Sequence, residues 1–381
     1  MKVVVAIDSL KGSLSSMEAG NAIKEAILKV TDANVIVKPL ADGGEGTVDA
    51  LTAGMGGTFQ KVNVKGPLGD TIECTYGILQ QSRTAIIEMA GAAGITLVHP
   101  EKRNPLVAST YGVGEVILDA IKQGCRKFIV GIGGSATNDG GIGMLEALGV
   151  EFFAGSKQLH NVSAKDLEIL DSINIDYLNP LLKECTFQIA CDVINPLCGV
   201  NGASYVFGPQ KGADSGMVER LDKGLNHYSQ VTENIIKKDF KDHPGSGAAG
   251  GLGFAFLAFL NGQLQPGIDI ILNAIQIEEE IADADFVITG EGKLDFQTAM
   301  GKAPIGVAKL AKKHGKKVIA FAGGVTEEAY KCNEAGIDAY FSIMQMPMTL
   351  EKAMETTVAK DNIKNTVEQV FRLILTMEER I

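Results

Sequence analysis

Charged side chains of both signs follow one short apolar segment in the stretch DFVITGEGKLDFQTAMGKAP, from Asp285 to Pro304. Phe286–Thr289 is predicted to be a buried strand that breaks into a glycine-spaced loop. Open α/β sheets bind their ligands at such carboxyl ends of strands. Carboxylates there can accept protons, and ammonium groups can neutralise an anion. The stretch therefore predicts a functional site. Its polar candidates are Glu291, Lys293, Asp295, Gln297 and Lys302.

Three other segments share this design of an apolar strand, an acidic residue and a glycine-rich turn. AIDSLKGSLS contains Asp8, PLADGGEGT contains Asp42, and IACDVINPLCG contains Asp192. If the strand ends converge, these carboxylates and that of Asp295 share one site, where they could accept a hydroxyl proton or hold a divalent cation through water. For any single one of them the alternative is a structural role, because aspartate after a strand commonly caps a turn or the next helix.

Two glycine-rich turns are candidate anion sites. GIGGSATNDGG, residues 131–141, follows a predicted strand and precedes a predicted helix, so its backbone N–H groups could face a phosphate or a carboxylate. GSGAAGGLG, residues 245–253, precedes a segment predicted to be a buried helix and could do the same. Both approximate the dinucleotide fingerprint G-x-G-x-x-G, but that match carries little weight in a chain with 45 glycines among 381 residues.

Composition excludes several classes of function. A net charge of −11 without a Lys/Arg-rich block predicts no nucleic-acid partner, and the longest apolar run, Gly247–Leu260, is too short to span a bilayer. Six cysteines without metal spacing, and no secretory signal, predict reduced thiols in a cytoplasmic protein. The P-loop, protein-kinase and serine-hydrolase signatures do not occur. A carboxylate-driven, lysine-assisted reaction on a small anion remains, and phosphoryl transfer fits it best.

The order of predicted elements indicates an interrupted α/β protein. The chain opens with the strand Val3–Ile7 and a helix whose capping box is Ser15 and Glu18, and the C-terminal third repeats this strand–helix order. In between, Thr58–Leu79 alternates around GPLGD and predicts a hairpin. We predict two different α/β domains, one with a parallel flavodoxin- or Rossmann-like sheet built from both chain ends and one inserted with mixed strands. Their predicted bounds are 1–60 plus 282–381 for the first domain and 61–281 for the second.

Nine segments in this order closely resemble the glycerate kinase family, of the bacterial glycerate 2-kinase type without a Walker motif. They are AIDSLKGSLS, PLADGGEGTVDAL, EMAGAAGITLV, NPLVASTYGVGE, GIGGSATNDGGIGMLEALG, CDVINPLCG, GPQKGA, GAAGGLGFAF and TGEGKLDFQTAMGKAPIGVA. The resemblance covers nearly the whole chain. It implies two different α/β domains, ATP as donor, Mg²⁺, and glycerate as acceptor, bound in a cleft between the domains. It also implies 2-phosphoglycerate as the product.

The resemblance and the charged segments together suggest roles for single residues. Asp192 or Asp295 is predicted to accept the proton of the attacking glycerate hydroxyl. Lys11 and Lys293 are predicted to neutralise charge on the transferring phosphate or on the glycerate carboxylate. The further candidates for binding substrate or phosphate are Asp8, Ser9, Gly43, Gly44, Gly133, Gly134, Ser135, Glu291, Gln297, Lys211 and Lys302. For Lys211, in GPQKGA, and for Lys302 the alternative is an ordinary solvated side chain.

The sequence leaves alternatives open for the metal ligands and for the reaction class. Asp42 and Glu45 are candidate Mg²⁺ ligands, but ATP phosphates and water could equally hold most of the metal. A dinucleotide-dependent oxidoreductase would use the GIGGSA turn, and a non-catalytic module would close on a small carboxylate. The phosphorylated carbon, the nucleotide preference and the oligomeric state do not follow from the sequence.

Overall fold

The computed structural model describes residues 1–378 of the chain. These residues form two compact units. Unit 1 consists of Met1–Asp42, Asp49–Met55 and the described residues from Ile271 onward, and unit 2 consists of Gly43–Val48 and Gly56–Ile270. The predicted domain boundaries, at residues 60/61 and 281/282, concern segments that fold independently, and they stay a prediction. The last three residues of the first predicted domain, 379–381, lie outside the described part of the chain.

The strands and helices of residues 1–378 alternate along most of the chain. The strands are β1 (Lys2–Val5), β2 (Asn34–Val37), β3 (Thr58–Lys65), β4 (Thr71–Leu79), β5 (Thr84–Glu88), β6 (Lys127–Gly131), β7 (Glu151–Ala154), β8 (Lys157–Leu159), β9 (Ser172–Asn174), β10 (Thr186–Ala190), β11 (Gln263–Gln265), β12 (Phe286–Leu294), β13 (Lys317–Val325) and β14 (Ala339–Ser342). The α-helices are α1 (Ser16–Leu28), α2 (Thr47–Gly54), α3 (Ala90–Ala93), α4 (Tyr111–Lys122), α5 (Ile142–Ala147), α6 (Ala203–Phe207), α7 (Ser215–Ile236), α8 (Ala248–Leu260), α9 (Gly267–Ala274), α10 (Ile277–Ala282), α11 (Phe296–Ala299), α12 (Ala303–Lys313), α13 (Lys331–Glu334), α14 (Leu350–Met354) and α15 (Thr356–Glu378). Short 3₁₀ helices span Ile95–Leu97, Pro100–Lys102, Ala164–Ile169, Pro180–Glu184, Pro209–Lys211 and Glu327–Tyr330.

Unit 1 contains a five-stranded sheet in the order β14-β13-β12-β1-β2, and every pair in it is parallel. Val3 and Val5 of β1 are fully buried and pack in one cluster with α1 and α15, while α12 packs against β12 and β13. Apolar strands of this kind suit a parallel sheet because crossover helices remove them from water. The predicted parallel sheet built from both chain ends is confirmed.

Two helices of unit 1 follow directly from their sequence patterns. Ser15 caps α1: its hydroxyl oxygen accepts the Glu18 N–H at 3.3 Å, and the Glu18 carboxylate accepts the Ser15 N–H at 3.1 Å. The predicted capping box is therefore present. In α15, Ile363 and Val367 are fully buried in the same cluster as α1, so the predicted apolar stripe packs on its own unit.

The strand predicted for Phe286–Thr289 is wrong in its length. β12 continues to Leu294 because β13 is equally long, and the two strands stay paired through Lys293↔Gly324 and Leu294↔Val325. The glycines allow this pairing: Gly290 has φ +151°, and a Cβ there would overlap the Phe321 carbonyl oxygen. The charged residues expected on a loop therefore begin on an ordered strand.

Unit 2 contains a six-stranded mixed sheet in the order β11-β10-β6-β5-β4-β3 and a small antiparallel sheet in the order β8-β7-β9. β3 and β4 form the predicted hairpin, whereas β5, β6, β10 and β11 run parallel. α8 lies in the predicted buried segment, but Ala249, Gly250 and Gly251 have left-handed backbone, so regular helix begins only after them. Among the helices of residues 1–378, none has both the length and the apolar composition needed to cross a membrane.

Candidate active site

Unit 1 contains a cavity of about 600 Å³ at the carboxyl ends of its parallel strands. β1 leads into it at Asp8, β12 at Glu291, β13 at Gly323 and β14 at Ile343. This edge of a parallel sheet is where α/β proteins bind ligands, because successive strand ends and their loops meet there. We call the following side chains of the cavity the charged half: Asp8, Lys11, Glu291, Lys293, Asp295 and Lys302.

Asp8 is the most perturbed carboxyl group of the charged half. Its backbone N–H donates to the Gly290 carbonyl oxygen at 2.9 Å, and its Oδ1 accepts the Ser9 N–H at 2.7 Å. Burial, together with the nearby negative charges of Asp42 and Glu291, raises the pKa of Asp8 to about 7, against the lowering effect of the Ser9 N–H and of Lys11. Near neutral pH this carboxyl group is therefore divided between its protonated and ionised forms.

Glu291 and Asp42 complete a group of carboxylates close enough to influence one another. Glu291 Oε1 accepts the Thr298 hydroxyl at 2.6 Å, and its Oε2 lies 4.0 Å from Lys302 Nζ. Burial raises the pKa of Glu291, while the Thr298 hydroxyl and Lys302 lower it. Asp42 Oδ2 lies 4.0 Å from Lys11 Nζ. Two carboxylates thus have a lysine at the outer limit of ion-pair distance, which leaves those ammonium groups room to contact a ligand.

Asp295 has a structural role as well as a place in the cavity. Its Oδ1 accepts the N–H groups of Gln297 at 2.9 Å and Thr298 at 3.2 Å, so it caps α11 as the structural alternative predicted. Its Oδ2 lies 3.7 Å from Lys293 Nζ. Gln297 is exposed and is not among the side chains that line the cavity. Asp295 therefore keeps one oxygen directed toward a lysine after its capping bonds are made.

The opposite side of the cavity is apolar, and sequence reasoning missed it. We call the following side chains the apolar wall: Leu10, Ile343, Met344, Met348, Leu350 and Met354. Most of them come from the segment between β14 and α15. A signal was present in the sequence, because 4 of the 12 methionines fall within the eleven residues Met344–Met354. Methionine side chains are flexible and polarisable, and they are frequent on surfaces that accommodate ligands.

In unit 2 the structure brings together a second set of predicted residues, around the ends of β6 and β10. Asp192 follows β10, is exposed, and accepts the Gly267 N–H at 2.9 Å through Oδ1. Gly43 has φ +87°, and a Cβ there would lie 2.7 Å from the Ala190 Cβ and 2.8 Å from the Gly267 Cα. Only glycine fits this close approach. The turn with Gly43, Gly44 and Glu45 thus lies beside the strand end that carries Asp192.

The predicted anion turn at 131–141 begins at the end of β6 in the same neighbourhood. A Cβ on Gly131 would overlap the Gly43 carbonyl oxygen, so the two turns are in backbone contact. Gly133 and Gly134 are exposed, and Ser135 is buried. The backbone of this turn is therefore accessible at Gly133 and Gly134, where an anion could contact it.

The N-terminus of the helix after this turn is occupied by the protein itself. Asp139 is fully buried; its Oδ2 accepts the Thr110 N–H and hydroxyl at 2.8 Å each, and both oxygens accept N–H groups from the first turn of α5. Burial raises the pKa of Asp139, and these four donors lower it. Sequence reasoning expected an external anion at this helix end and missed Asp139. The internal carboxylate already satisfies the N–H groups there.

Lys211 holds the same turn from inside unit 2, and its alternative as a solvated lysine is wrong. It is 2% exposed, and its Nζ donates to Ser135 Oγ at 2.8 Å and to the Thr137 carbonyl oxygen at 2.6 Å. Burial lowers the pKa of Lys211 to about 7, and the charge of Asp139 opposes that shift. The other glycine-rich turn, 245–253, packs on this loop, with the Gly140 N–H donating to the Gly250 carbonyl oxygen at 2.9 Å.

The carboxylates do not form a cage for a metal ion. No group of three or more His, Cys, Asp or Glu side chains within residues 1–378 has an arrangement that could hold one. Asp42 belongs to unit 1 and Glu45 to unit 2. Mg²⁺ commonly keeps several waters and binds through one or two carboxylates together with substrate phosphates. Asp42 and Glu45 stay candidate ligands for such a shared metal.

Comparison with known proteins gives one consistent answer. The family model "Glycerate kinase family" matches residues 3–375. A relative from Escherichia coli K12, "Glycerate 2-kinase", is 47% identical over 95% of both chains, and a "Glycerate kinase" from Halalkalibacterium halodurans is 45% identical over 93% of both. The crystal structure of a Salmonella typhimurium LT2 protein assigned as glycerate kinase 2 is similar with a TM-score of 0.90, at 43% identity over 99% of both chains.

Fold and relatives together define the class of this protein: it is an α/β enzyme, and a kinase. The chain belongs to the glycerate kinase family. The resemblance found in the nine ordered segments is thereby confirmed. Membership of a kinase family also rules against the oxidoreductase and the non-catalytic binding module that the sequence alone had left open.

Proposed function

We propose that this chain transfers the γ-phosphoryl group of ATP to a hydroxyl group of D-glycerate, with 2-phosphoglycerate as the product. The observation that carries the proposal is the cavity of unit 1, where carboxylates and lysines meet at the ends of parallel strands in a member of this family. Phosphoryl transfer requires positioning and charge neutralisation more than covalent chemistry by the protein. The charged half supplies the groups for both.

The proposed reaction is an in-line displacement. A glycerate hydroxyl oxygen attacks the γ-phosphorus, the bond from that phosphorus to the β,γ-bridging oxygen breaks, and ADP leaves with the bridging oxygen. The proton of the attacking hydroxyl passes to a carboxylate, which later releases it to water. The product is a phosphate monoester, and no oxidant or reductant takes part.

Asp192 and Asp295 are the two candidates for the proton acceptor. Asp192 is exposed beside the Gly43–Glu45 turn of unit 2, and Asp295 directs Oδ2 toward Lys293 in unit 1. Each already accepts backbone N–H bonds through its Oδ1. A side chain held in this way keeps its second oxygen in one place, which is what a general base needs before the substrate arrives.

Lys11, Lys293 and Lys302 are proposed to contact the phosphates or the glycerate carboxylate. The side chains of Lys11 and Lys293 are 60% and 63% exposed, and their nearest carboxylate oxygens are 4.0 Å and 3.7 Å away. Such loose ion pairs contribute little to folding, so the ammonium groups lose little when they turn to an anion. In a closed site they would stabilise the negative charge of the transferring group.

Asp8 and Ser9 are proposed to bind the anion rather than repel it. A fully ionised carboxylate beside phosphate would be unfavourable, but the pKa of Asp8 near 7 lets this group carry a proton and donate it in a hydrogen bond. In unit 2, the backbone of Gly133 and Gly134 and the Gly43–Gly44 turn would supply further donors, with Ser135 held in place by Lys211. Backbone donors suit an anion because they are fixed before it binds.

Mg²⁺ is proposed to enter as the complex with ATP. Asp42 or Glu45 would complete its coordination sphere, and the metal would neutralise charge on the phosphates. This proposal requires only one or two protein carboxylates, which agrees with the lack of a carboxylate cage in the described residues. A cytoplasmic location stays a prediction from the sequence.

The test is a product assay with the purified full chain, D-glycerate, ATP and Mg²⁺. Enolase is added with or without phosphoglycerate mutase, so a signal with enolase alone identifies 2-phosphoglycerate. A signal that requires the mutase would identify 3-phosphoglycerate, which contradicts the proposed position but not the kinase activity. Glycerate-dependent ADP formation is the expected result. Its absence from a folded protein would contradict the proposal, and omission of glycerate controls for simple ATP hydrolysis.

A further inference from the structure

The cavity of unit 1 has two chemically different halves, and the reaction uses only one of them. The charged half handles phosphate and carboxylate groups. The apolar wall carries side chains that can do neither, since an aliphatic group or a thioether offers no charge and no strong hydrogen bond. Glycerate is small and polar throughout, so an apolar surface adds nothing to its binding. The wall therefore needs another explanation.

The methionine segment of the apolar wall is attached to the loop after β1, which carries Asp8 and Lys11 of the charged half. Met354 packs on Gly12, where an added Cβ would lie 2.7 Å from the methionine Cε. Two residues later, the Thr356 hydroxyl donates to the Ser13 carbonyl oxygen at 3.2 Å. These contacts attach the methionine segment to the loop after β1. The wall is thus held at a defined place beside Asp8 and Lys11.

Part of the wall is exposed in a way that folding alone does not explain. Leu350 begins α14 and is 75% exposed although it lines the cavity, and no residue of α14 is buried. An apolar surface beside convergent charged groups is typical of a ligand pocket, where the apolar part buries the body of the ligand and the polar part orients it. The cavity volume of about 600 Å³ falls in the usual range of ~300–1,000 Å³ for such pockets.

We propose that the apolar wall binds the purine base of ATP, and that the phosphates extend from it into the charged half. This inference rests on the proposed function, because it assigns one end of the same substrate. A flat aromatic base is the apolar part of a nucleotide, and methionine sulfur makes favourable contacts with aromatic rings. The wall offers three methionines, Met344, Met348 and Met354, for this contact.

The wall also predicts how selective the enzyme is for the base. Its six side chains carry no strong hydrogen-bond donor or acceptor that could distinguish the edge of adenine from that of guanine. Large discrimination between related ligands comes from buried polar groups that one ligand leaves unpaired. We therefore expect the KM values for ATP and GTP to differ by less than about tenfold.

The test compares a nucleotide with its phosphate chain alone. Isothermal titration calorimetry of the full chain measures the Kd of ADP and of tripolyphosphate for wild type and for Met344→Ala/Met348→Ala. We expect the double substitution to weaken ADP at least ~10-fold, because it removes apolar contact area for the base. Tripolyphosphate, which has no base, is expected to bind within about twofold of wild type. Met346→Ala is the control, since Met346 lies in the same segment, is 65% exposed and does not line the cavity.

Three results would overturn this assignment. ADP binding that is unchanged in the double variant would place the base elsewhere. Equal weakening of ADP and tripolyphosphate would show that the wall only shapes the charged half. A similar loss in Met346→Ala would point to a general change of the segment. These binding results are distinct from the proposed function, which fails only if wild type forms no ADP from ATP and glycerate.

Discussion

The two units place their candidate lysines in opposite environments. In unit 1, Lys11 and Lys293 of the charged half are exposed and make loose ion pairs, so they can contact a ligand directly. In unit 2 the one lysine of the predicted set, Lys211, is buried and donates to Ser135 and Thr137 of the protein itself. Unit 1 thus presents charged side chains, whereas unit 2 uses an internal charge to hold a backbone turn. The same residue type is exposed at a cavity in one unit and supports a turn from inside in the other.

The comparison extends to the buried ionisable groups. Asp8 in unit 1 and Lys211 in unit 2 both have a pKa of about 7, the first raised by burial and the second lowered by it. Burial disfavours whichever form is charged, so a carboxyl group and an ammonium group arrive at the same value from opposite directions. Substitutions in the two units should therefore distinguish residues whose charge is needed for activity from residues that only stabilise the fold around the candidate site.

The largest expected effect concerns the proton acceptor. Replacing it by asparagine should lower kcat at least ~100-fold, the usual scale for a lost acid–base group, and we predict this for both Asp192→Asn and Asp295→Asn. Asparagine keeps the oxygen that accepts the Gly267 N–H in one case and can still cap α11 in the other, so folding should be preserved. Steady-state kinetics with glycerate and ATP measure the change.

The same pair of variants decides which unit supplies the base. The unit whose variant loses more turnover contains it, and a variant within about tenfold of wild type excludes its residue from that role. Asp214→Asn is the matched control, because it makes the same change of charge at an exposed residue that caps α7 and is not a candidate for the site.

The next effect is the loss of internal support in unit 2. Lys211→Met removes two hydrogen bonds of a fully buried ammonium group, and we expect the free energy of unfolding to fall by about 3 kcal/mol. Urea denaturation measures it. Lys223→Met, at an exposed position of α7, should change stability by less than about 0.5 kcal/mol. A stability change in Lys211→Met no larger than in this control would mean that the turn does not depend on the buried lysine.

The pH dependence of stability should have opposite slopes in the two units. The folded state holds the Asp8 proton more tightly than the unfolded chain does, so the contribution of Asp8 is present below about pH 4 and is lost as the pH rises to about 7. The folded state holds the Lys211 proton less tightly, so stability gained from that group rises between about pH 7 and pH 10.

Asp8→Asn should therefore remove the fall in the free energy of unfolding between about pH 4 and pH 7, and Lys211→Met should remove its rise between about pH 7 and pH 10. Each change is expected to be on the order of 2 kcal/mol across its pH range. Urea midpoints measured from pH 4 to pH 10 report both slopes. Because Asp8 is also proposed to bind the substrate, Asp8→Asn should gain stability at pH 8 while losing activity. A variant whose profile is parallel to that of wild type would contradict the assigned titration.

The smallest effects concern helix caps, one in each unit. Ser15 caps α1 and Asp214 caps α7, where its side chain accepts the Met217 N–H at 2.8 Å. Ser15→Ala and Asp214→Ala should each cost about 1 kcal/mol. If the units unfold in separate transitions, each substitution shifts only one of two steps in calorimetric melting. Ser215→Ala, next to the second cap, is the control. Equal shifts of a single transition would show instead that the chain unfolds as one cooperative unit.

Much of the fold could be read from local patterns. The capping box at Ser15 and Glu18 and the hairpin of β3 and β4 follow from rules that act over a few residues, and the structure confirms them. The carboxylates at strand ends were recognisable for a similar reason, because a polar residue after an apolar run marks where a strand leaves the core. Local rules did not give the length of β12, since its last residues are strand only through their partners in β13.

In the candidate site, too, some features follow from local sequence and others depend on residues that are distant in the chain. Asp8, Lys11, Glu291, Lys293 and Asp295 were identified from type and spacing, and the order of segments placed the chain in its family. Residue type, spacing and segment order could not show that Asp295 caps a helix or that Asp139 accepts the N–H groups at the N-terminus of α5. Those roles depend on which backbone N–H groups lie within hydrogen-bond distance, and residues distant in sequence decide that.

The sequence by itself thus determined the element types, the parallel sheet from both chain ends, and the residues able to do chemistry. Hydrophobic period, capping residues and motif order are properties of short segments, and they persist whatever the rest of the chain does. Only the tertiary structure decided which charges are buried, which lysine supports a turn, and that a methionine segment lines the same cavity as Asp8. Burial and proximity arise from the packing of distant segments, and the free energies that shift a pKa or shape a pocket exist only once that packing has formed.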